Sequence, residues 1–216
     1  MSKVAVVGGG AAGMFASIFA ARNGNEVHVF EKNEKLGKKL FITGKGRCNV
    51  TNAADIETLL ANVRANPKFL YSAFYSFTNQ DVIDMFEASG VKTKIERGGR
   101  VFPESDKAYH VTDALVSACR SAGVKFRFNE RITALKLSND NHISGIKTER
   151  GEFLCDAVIL ATGGMSYSVT GSSGDGYRFA KRAGHTIVPI RPSLVPLVAE
   201  GKLCAHLQGL SLKNIG

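Results

Sequence analysis

The first 31 residues carry the pattern that most restricts the fold. An apolar run, Lys3–Val7, leads directly into the glycine-rich residues 8–13, and a second apolar run over residues 27–30 ends at Glu31. A buried strand, a glycine turn, an alanine-rich helix and a second strand form a βαβ unit. The helix N-terminus of such a unit offers unpaired N–H groups and a partial positive charge to a diphosphate. The pattern therefore predicts a dinucleotide site.

Three glycines of this turn have predicted roles. Gly8 makes the tight turn, Gly10 leaves room for a diphosphate beside the backbone, and Gly13 lets the helix pack closely on the strand. Glu31, 18 residues beyond Gly13, is placed to accept hydrogen bonds from ribose hydroxyls. The alternative is an ordinary strand-to-helix connection, because glycine and alanine are common in such turns.

Length and composition indicate a globular protein. A chain of 216 residues can bury a substantial core, as one large domain or two small ones. Its 44% hydrophobic and 22% charged residues are ordinary for a globular protein. Apolar stretches such as residues 157–161 are much shorter than the ~20 residues that span a bilayer. The N-terminus has no basic segment followed by an apolar core, so we expect a cytoplasmic protein without membrane association.

The cysteines and histidines form no metal-binding or disulfide pattern. Cys48, Cys119, Cys155 and Cys204 are widely spaced and contain no CxxC pair, which is typical of free thiols in a reducing compartment. The five histidines also lack ligand spacing. We therefore predict no metal.

The net charge of +9 has two interpretations. Basic residues are spread along the whole chain, which favours a solvated basic surface and makes nucleic acid an unlikely partner. A more local interpretation is that Lys38, Lys39, Lys45 and Arg47 serve a phosphate-bearing cofactor.

The middle of the chain predicts a long loop followed by helices. Residues 31–54 are rich in Gly, Lys and Asn, and a loop of this length is usually functional. Apolar residues then recur at helical spacing, so two or three helices are expected between residues 56 and 89. Phe69, Phe74 and Phe77 are assigned to the packing face of these helices.

The second half predicts mostly strands. The expected elements are a hairpin over residues 92–102 with its turn at Gly98 and Gly99, a helix over 109–122, strands over 124–128, 132–137, 142–147 and 151–155, a fully buried strand over 157–161, a helix ending at Gly184 and an apolar strand after His185. The strand over 124–128 is assigned to the main sheet, and the next three to a small β-meander. The alternation indicates an α/β fold around a parallel sheet.

A second glycine cluster follows the predicted buried strand. Residues 161–164 read ATGG, and residues 170–176 read TGSSGDG ahead of the last helix. A second glycine turn after a strand favours FAD over NAD as the cofactor. Asp175 in this cluster either binds cofactor hydroxyls or caps the helix N-terminus.

Three motifs together carry a family resemblance. They are GKKLFITGKGRCN over residues 37–49, GRVFPESDKA over residues 99–108 and ATGGMSY over residues 161–167. The chain resembles the aminoacetone-oxidase and bile-acid-reductase-like family of FAD-binding proteins, also called the YhiN type, over almost its entire length. The resemblance implies a Rossmann-like FAD/NAD(P)-binding fold and an FAD-dependent oxidoreductase of unidentified small-molecule substrate, with NADH or NADPH as a candidate reductant.

The same resemblance implies a set of cofactor contacts. These are Gly8, Gly10, Ala11, Ala12, Gly13, Glu31, Lys32, Lys39, Thr43, Gly46, Arg47, Cys48, Asn49, Ile132, Ala161, Thr162, Gly163, Gly164 and Asp175.

Members of that family are considerably longer, with an inserted β-rich domain and a returning C-terminal segment. We therefore expect residues 1–193 to form an incomplete FAD-binding domain and residues 194–216 to begin the inserted domain. A piece of this length is expected to retain FAD weakly or not at all.

The catalytic residues stay unassigned, with five candidates. Lys45 or Arg47 offsets negative charge on reduced flavin, unless their segment is only a pyrophosphate loop. Cys48 is either a redox partner of the flavin or, as we favour, an inert thiol. Arg100 clamps an anionic substrate or is solvated, and Tyr167 reaches the substrate or packs against a wall.

Two other functions compete with the flavin oxidoreductase. One is an NAD(P)-dependent dehydrogenase that uses the first turn alone, which the second glycine cluster disfavours. The other is a flavin-binding regulatory or RNA-associated protein without turnover, which the net charge of +9 favours.

Overall fold

The computed structural model describes residues 1–192, 194 and 198–210. The chain divides into two units, Met1–His185 and Thr186–Gly216. The strands are β1 (Lys3–Val7), β2 (Glu26–Phe30), β3 (Thr51–Asn52), β4 (Thr93–Glu96), β5 (Arg100–Pro103), β6 (Lys125–Arg127), β7 (Ile132–Leu137), β8 (Ile143–Thr148), β9 (Gly151–Leu154) and β10 (Ala157–Leu160). The helices are α1 (Ala11–Arg22), α2 (Ile56–Ala61), α3 (Tyr71–Ser76), α4 (Asn79–Ala88), α5 (Ala108–Ser121), α6 (Asp175–Arg182) and α7 (Leu203–His206), the last in the second unit. Short 3₁₀ segments cover Leu40–Gly46, Pro67–Leu70 and Ser168–Thr170.

The main sheet of the first unit has four parallel strands in the order β10-β1-β2-β6. Its central strands are covered on both faces, which explains their nearly continuous apolar sequence. Val4 and Val6 pack toward α1 and α5, in one core with Met14 and Leu115. The alternate residues of β1 point to the opposite face, where Val7 joins a second core.

The second core is built by a three-stranded antiparallel meander and the last helix of the unit. The meander has the order β7-β8-β9 and contributes Ile132 and Ile146, and α6 contributes Phe179. The first unit therefore has three layers: helices, the parallel sheet, and the meander with α6.

A third, smaller sheet has the order β3-β5-β4. The β4–β5 hairpin turns at residues 97–99, and β5 pairs with both neighbours in antiparallel fashion. Val101 and Phe102 of this hairpin are buried. The hairpin holds one side of the loop that follows β2.

The structure confirms most of the predicted elements. The βαβ unit, the hairpin, the helix before β6, the strand over 124–128 and the meander all form as expected, and three helices occupy residues 56–89. The predicted loop over residues 31–54 contains a 3₁₀ segment and the two-residue β3. None of the described helices combines the length and apolar character that a membrane-spanning segment requires.

Three local predictions are wrong. Strand β10 is not fully buried, because it lies at the edge of the described sheet, where Ala157 and Leu160 are exposed. Phe69 is 86% exposed, since it lies in a 3₁₀ turn and points away from the helices. No strand forms over residues 185–192, where Pro189 lacks the N–H that a strand ladder needs.

The aromatic packing prediction is confirmed for one of the three phenylalanines. The Phe77 ring lies 5.0 Å from the Phe15 ring and 5.6 Å from the Phe19 ring, both edge-on. Such edge-to-face contacts stabilise the packing of the helical segment on α1. Phe74 is only half-buried.

Candidate functional site

A cavity of about 610 Å³ opens at the carboxyl ends of β1, β2 and β10. Ligands of open parallel sheets bind at this edge, because the loops that follow the strands meet there. The predicted cofactor contacts that line it are Gly8, Gly10, Ala11, Ala12, Glu31, Lys32, Lys39, Thr43, Ile132, Ala161, Thr162, Gly163 and Asp175. All of them belong to the first unit.

The glycine turn after β1 shapes one wall of the cavity. Gly8 has a φ of 107°, and a Cβ there would lie 2.5 Å from the carbonyl oxygen of Ala161. A Cβ at Gly13 would overlap the carbonyl oxygen of Gly8. A Cβ at Gly10 would meet no atom within 4 Å among the described residues. The fold therefore requires glycine at positions 8 and 13, whereas a side chain at position 10 would enter open space.

The N-terminus of α1 also points into this space. Gly10 is its N-cap residue, and no side chain in the described ranges accepts a hydrogen bond from that end of the helix. Its first residues, Ala11 and Ala12, line the cavity. An uncapped helix N-terminus beside an open glycine is suited to an anionic group such as a diphosphate.

Glu31 directly follows β2 and has a buried carboxylate. Its Oε2 accepts a hydrogen bond from the Gly9 N–H at 2.8 Å. Its Oε1 accepts from the Asn33 backbone N–H at 2.8 Å and from the Asn33 Nδ2 at 2.6 Å. Because a carboxylate has about four acceptor positions, Glu31 retains capacity for a ligand hydroxyl. Its hydrogen bond to Gly9 also fixes the glycine turn.

Asp175 lies at the start of α6, opposite the glycine turn. Its carboxylate accepts hydrogen bonds from Lys32 at 2.9 Å, Ser173 at 2.8 Å and Arg178 at 2.8 Å, and Arg131 lies 3.7 Å away. Burial favours the neutral acid, but the hydrogen bonds from Lys32 and Ser173 and the nearby positive charges outweigh it and lower the pKa of Asp175. The N-cap residue of α6 is Gly174, so Asp175 does not cap the helix.

Lys39 joins the loop after β2 to the segment after β10. Its Nζ donates to the Ser172 hydroxyl at 2.7 Å and to the Ser166 carbonyl at 2.9 Å. Gly163 packs tightly in the same region, since a Cβ there would lie 2.6 Å from the Ser172 Oγ. The two glycine clusters of the sequence therefore meet around one cavity.

The remaining predicted contacts lie outside the lining of the cavity. They are Gly13, Gly46, Arg47, Cys48, Asn49 and Gly164. Of the segment over residues 43–49, only Thr43 lines the cavity. Gly44, Lys45 and Gly46 all have positive φ, so this segment forms a tight turn. A Cβ at Gly44 would lie 2.7 Å from the Phe102 ring, so the turn packs against the β4–β5 hairpin.

Arg47 is held by the β4–β5 hairpin instead. Its Nη1 lies 2.7 Å from the Glu96 carboxylate and 3.3 Å from that of Asp106, and its guanidinium covers the Phe102 ring at 4.0 Å. Lys94 and Arg100 contact the same carboxylates. We call Arg47, Lys94, Glu96, Arg100 and Asp106 the hairpin cluster.

The other catalytic candidates differ in burial. Cys48 is 1% exposed, and burial raises the pKa of its thiol, with a hydrogen bond to Thr43 as a smaller opposing effect. Tyr167 is 68% exposed, and Lys45 is also exposed. Neither Tyr167, Lys45 nor Arg100 lines the cavity.

Sequence analysis missed several residues of the cavity wall. Asn33, Glu130, Arg131 and Ser172 line it. Ser172 lies inside the second glycine cluster and Asn33 inside the predicted functional loop over residues 31–54, so their positions were an available signal. Glu130 and Arg131 follow β6, and their place depends on β6 pairing with β2, which the sequence does not specify.

The fold and this cavity define a dinucleotide-binding Rossmann domain. The family described as HI0933-like protein Rossmann domain matches residues 2–215, so the chain belongs to this family.

Two curated relatives and one solved structure illustrate the similarity. A 3-dehydro-bile acid delta(4,6)-reductase of Clostridium scindens is 38% identical over 199 residues, covering 91% of this chain and 47% of that protein. A ribosomal RNA dihydrouridine synthase of Escherichia coli is 33% identical over 206 residues, covering 95% and 50%. An open conformation of a flavocytochrome c3 fumarate reductase has a TM-score of 0.60 at 23% identity, covering 84% and 40%, and shares the fold. The chain spans about half the length of these two curated relatives.

Proposed function

We propose that this chain contributes the FAD-binding part of an oxidoreductase and that the cavity holds the ADP half of FAD. One observation carries the proposal: the uncapped N-terminus of α1, the open side of Gly10 and the Glu31 carboxylate all border the same cavity of about 610 Å³. The first two suit a diphosphate, and the third suits a ribose hydroxyl. The flavin, when bound, supplies the two-electron redox chemistry.

The charged residues of the cavity would orient the cofactor. Lys39 would add positive charge near the diphosphate, and Lys32 holds the Asp175 carboxylate in place through its hydrogen bond. Asp175 would accept hydrogen bonds from cofactor hydroxyls, because its lowered pKa keeps it an acceptor at neutral pH.

We assign the segment over residues 43–49 to the flavin side of the cofactor. It adjoins the cavity through Thr43 and otherwise lies beyond its lining, where the ADP half would not reach. Lys45 and Arg47 would then offset negative charge on reduced flavin. Residues 1–193 would form the cofactor domain, with residues 194–216 beginning a second domain.

For the substrate, we propose a carbon–carbon double bond conjugated to a carbonyl group. The support comes from the names of the two relatives, because a 3-dehydro bile acid with delta(4,6) unsaturation and uridine both contain such a bond. NADH or NADPH is the proposed reductant. A small molecule that contains this double bond is the first candidate for the substrate. RNA is the second, favoured by the net charge of +9 and by the name of the second relative.

The cofactor assignment is tested by titrating the purified protein with FAD, ADP, FMN and NAD and measuring the binding of each by calorimetry. We expect FAD and ADP to bind and FMN to bind at least about tenfold more weakly, because it lacks the ADP half. Absence of both FAD and ADP binding by protein that is folded by circular dichroism would overturn the proposal. Tighter binding of NAD than of FAD would support the dehydrogenase alternative.

The substrate is tested on the flavin-loaded protein under anaerobic conditions. NADH or NADPH is expected to bleach the flavin absorbance, and an unsaturated 3-oxo steroid or a uridine-containing rRNA fragment to restore it. Reoxidation by the rRNA fragment alone, with binding that weakens steeply as salt increases, would establish RNA as the substrate. Reoxidation by neither would reject the proposed substrate class.

A further inference from the structure

Glu130 is a buried carboxylate at the cavity wall that lacks a hydrogen-bond donor. The residue is 5% exposed and lines the cavity. Within the described residues its carboxylate accepts no hydrogen bond, and its one ion-pair contact is Arg127 Nη1 at 3.6 Å. Glu31, on the same wall, accepts three hydrogen bonds from its own chain. A carboxylate that is 5% exposed, lines the cavity and accepts no hydrogen bond from the described residues is suited to a ligand that supplies a donor.

The neighbouring cations are engaged elsewhere. The Arg127 guanidinium lies over the Phe30 ring at 5.4 Å and the Phe153 ring at 5.1 Å. Arg131 Nη2 lies 3.7 Å from the Asp175 carboxylate. Neither arginine makes a close hydrogen bond to Glu130, so the donor that satisfies this carboxylate is expected to come from the contents of the cavity.

The strand order tells which part of a dinucleotide lies beside Glu130. The diphosphate site follows β1, and the ribose acceptor Glu31 follows β2, the next strand of the sheet. Glu130 follows β6, one strand further out, and its backbone N–H donates to the Glu31 carbonyl at 3.0 Å. Adjacent strands are ~4.8 Å apart. The distance from one strand to the next along the sheet edge therefore corresponds to about one part of the nucleotide, which consists of phosphate, ribose and base. The group beyond the ribose is the base.

We propose that the Glu130 carboxylate accepts a hydrogen bond from the exocyclic 6-amino group of adenine and so determines the base specificity of the cavity. This inference rests on the proposed binding of FAD. The 6-amino group is the donor that adenine presents, and an ionised carboxylate is a strong acceptor. A purine base without that amino group would leave Glu130 buried and unpaired.

The experiment compares FAD with flavin purine dinucleotide, which lacks only the 6-amino group, by calorimetry. Wild-type protein is expected to bind FAD about tenfold more tightly, the usual effect of a hydrogen bond to a charged group. In Glu130→Ala the preference is expected to disappear, and in Glu130→Gln it is expected to fall to about threefold. Glu149→Gln, at an exposed glutamate between β8 and β9, is the matched control and should keep the wild-type preference.

The outcomes separate this inference from the proposed function. Equal binding of the two dinucleotides by wild-type protein would overturn the role of Glu130 while FAD binding stands. A wild-type preference that persists in Glu130→Ala would also overturn it. Folded wild-type protein that binds neither dinucleotide would reject the proposed function and this inference together. The wild-type comparison needs no substitution, so a variant that fails to fold leaves the test intact.

Discussion

The cavity and the hairpin cluster are both rich in charged side chains, yet they are built differently. Around the cavity the carboxylates of Glu31, Glu130 and Asp175 are buried, and open space lies in front of the helix N-terminus. In the hairpin cluster the cations already have partners, and the side chains of Glu96 and Asp106 are 27% and 43% exposed. Exposed ion pairs contribute little stability, whereas buried groups with spare acceptor capacity favour a ligand. The comparison separates the proposed site for the ADP half from a region whose cations are already held by carboxylates.

The largest expected effect distinguishes two glycines of the turn after β1. Gly13→Ala places a Cβ against the Gly8 carbonyl, which should outweigh the roughly 1 kcal/mol that alanine gains in a helix. A net loss of about 2 kcal/mol in the free energy of unfolding is expected, as for other overpacked sites. Urea denaturation measures it.

Gly10→Ala is the matched control for that substitution. Its Cβ enters open space, so the free energy of unfolding should change by less than about 0.5 kcal/mol. ADP affinity should nevertheless fall about tenfold, because the methyl group would occupy the proposed diphosphate position. Equal destabilisation by both substitutions, or unchanged ADP affinity in Gly10→Ala, would remove the distinction between a structural and a binding glycine.

The next prediction compares one cation from each region. Lys39→Ala should weaken both ADP and FAD by about tenfold, because Lys39 lines the cavity and its charge would act on the diphosphate. Arg47→Ala should weaken FAD but change ADP affinity by less than about twofold, since Arg47 lies outside the cavity proposed for the ADP half. Lys94→Ala is the control within the cluster. ADP binding that falls equally in Arg47→Ala and Lys39→Ala would place both regions in one phosphate site.

This contrast also shows how far sequence reasoning reaches. The glycine turn was predictable because its constraints are local: Gly8 and Gly13 meet atoms fixed by the strand-to-helix connection. The environment of Arg47 was not predictable, because its partners Glu96 and Asp106 lie 49 and 59 residues away in sequence. Glu130 was missed for a similar reason, since only the pairing of β6 with β2 brings it beside Glu31.

The burial of individual residues was the other property that could not be predicted from the sequence. The apolar residues of β10 predict a strand but do not reveal that it is an edge strand of the described sheet. Phe69 reads as a core residue by type, and the 3₁₀ turn around it decides its exposure. Periodicity therefore predicted the elements, while their lateral order and exposed faces depended on contacts that are distant in sequence.

A smaller effect is expected from lowering the pH. The folded state lowers the pKa of Asp175 below its usual 3.8, so the stabilisation from this carboxylate is fully present above that pH. It is lost as the pH falls through the lower folded-state value. Asp175→Asn should therefore lower the melting temperature at pH 6, and the difference from wild type should shrink as the pH falls below 3.8.

Glu96→Gln provides the comparison from the hairpin cluster. The hydrogen bond from Arg47 lowers the pKa of Glu96 too, but the carboxylate is more exposed, so its substitution should shift the melting temperature less at pH 6. A difference between wild type and Asp175→Asn that stays constant from pH 6 to pH 3 would show that Asp175 does not titrate differently in the folded and unfolded states.

The smallest effect concerns Cys48, which lies in the segment between the two regions. Burial raises the pKa of its thiol, so little thiolate forms near pH 8, whereas Cys204 is exposed. Ellman's reagent should react rapidly with one thiol in the native protein, and Cys204→Ser should abolish that fast phase. Cys48→Ser should leave it unchanged and alter FAD affinity by less than about twofold. A fast phase that survives in Cys204→Ser and disappears in Cys48→Ser would make Cys48 a reactive thiol. The segment over residues 43–49 would then have to contribute a redox group as well as positive charge to the flavin side of the site.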